Sequence, residues 1–116
     1  TCNNNNRSVR LYSSNRNTIT DNIFSDNGYG VGLYFFSNNN TITGNTCNNN
    51  NSYGVRLYSS NRNTITDNIC SDNGYGIHLT SSSSNNCIVR NVLVDNNTAY
   101  SGRETGSVEA NNVIKK

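Results

Sequence analysis

VRLYSSNRNTITDNI, residues 9–23, recurs letter for letter at 55–69, a shift of 46 residues. Part of it recurs more often. NTIT stands at 17–20, 40–43 and 63–66, and NCIV at 86–89, each 23 residues after the last. A fixed period of this length marks a repeat architecture in which each unit buries its apolar face against its neighbours.

Reading down the repeats gives three columns. Val9/Leu11, Val31/Leu33, Val55/Leu57 and Ile77/Leu79 are apolar pairs with one residue between them, the alternation of a half-buried strand. Ile19, Ile42, Ile65 and Ile88 form a second column, flanked mostly by Thr, in short segments whose Ile points inward. Five positions after each Ile come Phe24, Cys47, Cys70 and Leu93, and Cys2 fits one repeat earlier. Three short strands per repeat, turns of Asn, Ser, Asp and Gly, and no helical period predict an all-β fold. The expected architecture is a right-handed single-stranded parallel β-helix (solenoid) of about five coils of roughly 23 residues. Coils stacked at roughly 4.8 Å would give a rod roughly 24 Å long. Residues 1–97 read as coils, and 98–116 as an irregular segment returning to a last partial coil.

Of 116 residues, 27 are Asn, 15 Ser and 11 Thr, while only 32% are hydrophobic. A conventional globular core is excluded by that balance, yet the regular aliphatic spacing, a net charge of +2 and the absence of Pro argue against disorder. The Asn surplus has a structural reading. Asn22, Asn45, Asn68 and Asn91 occupy one corner, where each amide can donate to and accept from the next along the axis, an asparagine ladder. Ser14, Ser37, Ser60 and Ser83 form a second polar column, and Gly28 and Gly74 suggest positive φ in the third turn.

The segment Gly54 to Ser71, written GVxLYxSxxNTITxNxCS, resembles the NosD-like parallel β-helix repeats, also described as carbohydrate-binding and sugar-hydrolysis domains. The resemblance covers roughly residues 1–97. It implies the β-helix fold and a family spread among archaeal and bacterial surface proteins, including copper-site maturation proteins, polysaccharide-modifying enzymes, and surface-layer or sheath components. Fold alone does not choose among these.

The chemistry narrows the choice. Glycan cleavage by a β-helix needs carboxylates clustered on adjacent coils. Asp21 and Asp67 are separated by Gly44, and Asp26 and Asp72 by Asn49, so only Asp72 and Asp95 are neighbours. That pair could hold Ca²⁺ with Asn73 or Asn96, against the plainer reading of solvated turn carboxylates. No catalytic or metal residue is assigned, and the expected protein is not an enzyme. His78 is the sole histidine and there is no Met, a poor donor set for copper. Interior Cys47 and Cys70 read as buried thiols close enough to bridge, whereas Cys87 replaces an outward Thr and should be an exposed assembly residue, its thiol open to pairing with another chain.

Tyr12, Tyr34 and Tyr58 share an outward column beside Arg10, Arg56 and His78, a face that could grip sugar rings or pack on another rod. Phe35 and Phe36 in a longer turn, with Ile23, Ile69 and Val92 in an outward phase, predict an apolar association stripe. No cap is visible at either end. Cys2 begins in the third column, and Ile114 reads as continuing the Ile column, so head-to-tail stacking would keep the coil phase nearly unbroken. Sequons at Asn6, Asn39, Asn50 and Asn96 fall in turns, where an exported chain could carry glycans.

The expected protein is therefore a non-enzymatic, self-associating subunit at the cell surface or outside the cell, in a filament, sheath or surface layer. Its partner is another copy, head to tail and laterally. The alternative is a polysaccharide-binding module of a larger surface protein. A dispersed +2 charge speaks against nucleic acid, and the longest apolar run is far short of the roughly 20 residues of a membrane span. No leader or anchor segment is visible, which fits either a cytosolic protein or a mature exported chain.

Overall fold

The computed structural model describes residues 1–102 and 105–116. Among them sixteen strands, all paired in parallel, fall into three sheets. The first sheet holds Arg7–Tyr12, Tyr29–Tyr34, Tyr53–Tyr58, Tyr75–Thr80 and Thr98–Ser101. The second holds Thr18–Thr20, Thr41–Thr43, Thr64–Thr66, Cys87–Val89 and Val108–Ala110. The third holds Cys2–Asn3, Ile23–Ser25, Thr46–Asn48, Ile69–Ser71, Val92–Val94 and Val113–Lys115. The chain visits the sheets in rotation, and each strand pairs with its equivalent one coil on, which is a β-solenoid of about five coils.

The apolar columns line its interior. Val9, Val31, Val55 and Ile77 are in register, as are Leu11, Leu33, Leu57 and Leu79, and Ile19, Ile42, Ile65 and Ile88. Cys2, Phe24, Cys47, Cys70 and Leu93 stack in the third sheet. All are buried apart from the half-buried Cys2, Val9 and Leu11 of the first coil. The Cα envelope measures 29 × 26 × 23 Å, so five coils make a block about as wide as it is tall rather than a rod.

The last coil corrects the sequence reading. Among the described residues after 97, Thr98–Ser101, Val108–Ala110 and Val113–Lys115 supply one strand to each sheet. Glu109 pairs with Ile88 in the Ile column, and Ile114 pairs with Leu93 in the third sheet. Ile114 lies five residues after Glu109, as Leu93 lies five after Ile88. A scan for Ile missed the rung because a half-buried glutamate occupies it. Without Ile114 in the Ile column, the in-phase head-to-tail junction expected from it is lost.

Each corner is built the same way: a left-handed residue followed by an inward Asn. Asp21, Gly44, Asp67, Arg90 and Asn111 have φ between 54° and 66° and precede Asn22, Asn45, Asn68, Asn91 and Asn112. Asp and Asn enter this region more readily than other L residues, which accounts for much of the turn composition. The following amide then runs the ladder. Asn45 donates both its backbone N–H and its Nδ2 to Asn68 Oδ1, and Asn68 does the same to Asn91, at 3.0–3.1 Å. Their Nδ2 groups also donate to the carbonyls of Ile19 and Ile42. Two further ladders, Asn17–Asn40–Asn63–Asn86 and Asn27–Asn50–Asn73–Asn96, occupy the other corners. The Ser column is buried at Ser37, Ser60 and Ser83. Gly28 and Gly74 are not at positive φ. They are needed for space, since a Cβ would stand 2.3 Å from Asn6 O at Gly28 and 2.6 Å from Ser52 O at Gly74.

Candidate functional site

The outer face of the first sheet carries the densest chemistry. Its strands project three outward columns: Arg7, Tyr29, Tyr53, Tyr75 and Thr98; Arg10, Gly32, Arg56, His78 and Ser101; and Tyr12, Tyr34, Tyr58 and Thr80. The Tyr29, Tyr53 and Tyr75 rings stack with centroids 5.4 and 5.3 Å apart. His78 joins them, 5.1 Å from Tyr53 and 4.7 Å from Tyr75. Arg56 lies 4.7 Å over Tyr53 and 5.5 Å over Tyr34, and Arg10 lies 4.7 Å over Tyr34. Cation–π contacts in this range hold both guanidiniums against the tyrosine rings.

Gly32 shapes the middle of the face. A Cβ there would come within 2.5 Å of Tyr34 Cε2, so the missing side chain is what lets the Tyr34 ring fold back over the strand. Phe35, at φ +46°, fills the space this leaves, with its ring 5.1 Å from Tyr12 and 5.0 Å from Tyr58. The expected column of Tyr12, Tyr34 and Tyr58 is thus stacked only between Tyr34 and Tyr58, at 6.2 Å. Tyr29, Tyr53, Tyr75 and Arg7 were not anticipated. Their signal was the recurring Tyr-Gly at 29, 53 and 75, at intervals of 24 and then 22 residues.

Electrostatically the faces differ. Among the described residues Arg7, Arg10 and Arg56 have no carboxylate within ion-pair distance, whereas Arg90 pairs with Asp67 at 2.8 Å. All five aspartates lie on the two corners that border the third sheet: Asp21 and Asp67 on one, Asp26, Asp72 and Asp95 on the other. Burial, and then the neighbouring Arg56, lower the His78 pKa, so at neutral pH it contributes a ring and not a charge.

The third sheet's outer face carries one largely apolar column beside a mostly polar one of Asn3, Ser25, Asn48, Ser71, Val94 and Lys115. Ile23, Thr46, Ile69, Val92 and Val113 stand in one outward column, with Ile23 48% and Ile69 46% exposed and Val92 half-buried. Phe36 is 65% exposed at the rim of the first sheet, so the predicted assembly residues divide between two faces.

The four thiols are free. Cys47 and Cys70 touch inside the solenoid; the hydrogen bond from Cys70, with burial, raises the Cys47 pKa well above its ordinary value. Cys87 is half-buried on the outer face of the second sheet, in the column of Thr64, rather than fully exposed. Maleimide should therefore label Cys87, and half-buried Cys2, in the native protein, and Cys47 and Cys70 only after denaturation. Equal labelling rates for Cys47 and Cys87 would show that the interior is open.

Asp72 and Asp95 line one open polar groove with Asn49, Asn51 and Asn97. Among the described residues no three His, Cys, Asp or Glu side chains converge on a point. Asn50 and Asn96 are buried ladder members, so their sequons cannot carry glycans in the folded chain; Asn6 and Asn39 are exposed. No helix of the described residues is long and apolar enough to cross a membrane.

A family model described as periplasmic copper-binding protein (NosD) matches residues 1–113. No curated protein and no solved structure matches the chain. The donors present do not fit the copper that this description names. His78 is packed among tyrosines, Met is absent from the sequence, and the two touching thiols are sealed in the core, where the hydrogen bond from Cys70 and burial raise the Cys47 pKa.

Proposed function

The chain belongs to the NosD family of periplasmic proteins, and from that premise we propose that it is a non-enzymatic, structural solenoid that associates with copies of itself in the cell envelope. The observation that supports this is the apolar column Ile23, Ile69, Val92 and Val113 on a flat sheet face, a kind of surface that usually marks an interface. Aspartates border that face on both sides, so two such faces opposed directly would repel. An offset, heterologous contact avoids this, and such contacts propagate into layers or filaments rather than closing as dimers.

Sedimentation velocity tests the reading. Wild type should form larger species as its concentration rises, and Ile23→Lys/Ile69→Lys should hold it monomeric with its circular dichroism unchanged. A wild-type chain that stays strictly monomeric at high concentration in oxidising buffer overturns it.

A second reading, binding of polysaccharide by the first sheet, is favoured by the arginines stacked on that sheet's tyrosines and, among the described residues, without carboxylate partners. Among the described residues no converging carboxylate cluster is found, so the reading is one of binding.

A further inference from the structure

We infer that the first sheet binds an anionic polysaccharide, one bearing carboxylate or sulfate groups, in preference to a neutral one. This rests on the second reading above and specifies its ligand.

Neutral sugars are held chiefly by their C–H faces lying on open aromatic faces, and here most ring faces are already used, with Tyr12 on the first coil, 55% exposed, the exception. Tyr29, Tyr53 and Tyr75 are 5.3–5.4 Å apart and 17–24° from parallel, too close to lie side by side in one plane, so each covers part of the next. Arg56 and Arg10 cover the Tyr53 and Tyr34 rings, and His78 packs against Tyr75. What the stack leaves outward is edges: phenol hydroxyls and guanidinium N–H groups. The Nε of Arg56 is shielded and has no partner, which leaves that side chain's terminal NH₂ groups as the donors within a ligand's reach.

A surface of donors recognises acceptors. Planar guanidiniums suit carboxylate and sulfate oxygens, and stacking on rings fixes their orientation in advance. Among the described residues no aspartate or glutamate projects from the first sheet's strands; Asp26, Asp72 and Asp95 stand on the corner that leads into it, and none of them is ion-paired with Arg10 or Arg56. Arg10 and Arg56 stand two rungs apart in one column with Gly32 between them, roughly 10 Å along the solenoid axis at about 4.8 Å per coil. A linear polymer lying along that axis would meet both guanidiniums. An oligonucleotide offers the same charge. It is disfavoured because the bases, too, would need the ring faces that the stack has consumed.

Affinity electrophoresis of the full chain tests this, with polygalacturonate, dextran sulfate, neutral dextran or oligo-dT in the gel. Polygalacturonate or dextran sulfate should retard the wild type, and which of them does so identifies the anion. Two ionic contacts predict a roughly tenfold loss of affinity between 50 and 200 mM salt. Arg10→Gln/Arg56→Gln should abolish the retardation, and Arg10→Lys/Arg56→Lys, which keeps the charge but loses the planar fork, should retain only part of it. Circular dichroism of each variant confirms the fold. Equal retardation by dextran overturns the anionic preference while leaving polysaccharide binding intact. No retardation by any polysaccharide overturns both. Retardation by oligo-dT as strong as by the polysaccharides, or unchanged binding by the Gln variant, overturns the assignment.

Discussion

Asn68→Ala is expected to lower stability by about 3 kcal/mol or more, whereas Asn22→Ala in the same ladder costs about 1 kcal/mol. The difference follows from what each amide leaves behind. Asn68 is fully buried: its Oδ1 accepts from the backbone N–H and the Nδ2 of Asn45, and its Nδ2 donates to Ile42 O, Thr66 O and Asn91 Oδ1. Truncation strands a buried N–H and removes a donor from a buried carbonyl, at roughly 1–3 kcal/mol for each group left unmade. Asn22 is half-buried, and no Asn donates to it from a preceding coil. Urea unfolding midpoints for the two variants measure the gap. Equal losses would mean that the ladder adds nothing beyond its individual bonds.

Asn68→Asp sharpens the same point through pH. The carboxyl would face three acceptors in a dry corner, so its folded pKa must rise above the unfolded value of about 3.9. A group raised in the folded state binds more protons there than in the unfolded chain. Its favourable contribution is present below about pH 3.9 and is lost as pH rises toward the folded pKa. The variant should therefore weaken relative to wild type between pH 4 and 7, the reverse of ordinary acid denaturation.

Sequence periodicity made the interior legible because a solenoid repeats its inside strictly. A column of Ile19, Ile42, Ile65 and Ile88 at one spacing admits one register, since a slip of one residue would turn every Ile outward. The corners were harder. With 27 Asn in the chain, composition did not distinguish the inward amides Asn27, Asn50, Asn73 and Asn96 from their solvated neighbours. The distinguishing feature is backbone conformation, the left-handed residue just before each ladder amide. The first sheet's Tyr29, Tyr53 and Tyr75 escaped for the opposite reason. Turn lengths vary around them, so their spacing departs from 23 although their rings end up stacked. Glu109 shows the remaining limit: a column identified by its aliphatic residues cannot reveal a rung that carries a charge.

Phe24→Ala is expected to cost about 3–5 kcal/mol, against a total stability on the order of 5–15 kcal/mol for a domain of this size. Phe24 is buried and lies in register between Cys2 and Cys47, two of the smallest side chains of the third-sheet column. Large beside small is how that column keeps its volume, and neither cysteine can expand into the cavity that alanine would leave. The same packing predicts a change of sign. In the wild type, Cys47→Leu should destabilise by about 1–3 kcal/mol through overpacking, because Cys47 is fully buried in register between Phe24 and Cys70. In the Phe24→Ala background the added methyl groups can lean into the vacated space, so the same substitution should recover part of the loss. Urea unfolding of the four proteins, with m-values unchanged, gives the coupling directly. Strictly additive losses would mean that the two side chains do not share a volume, and the interior column would then be a row of independent sites rather than a packed core.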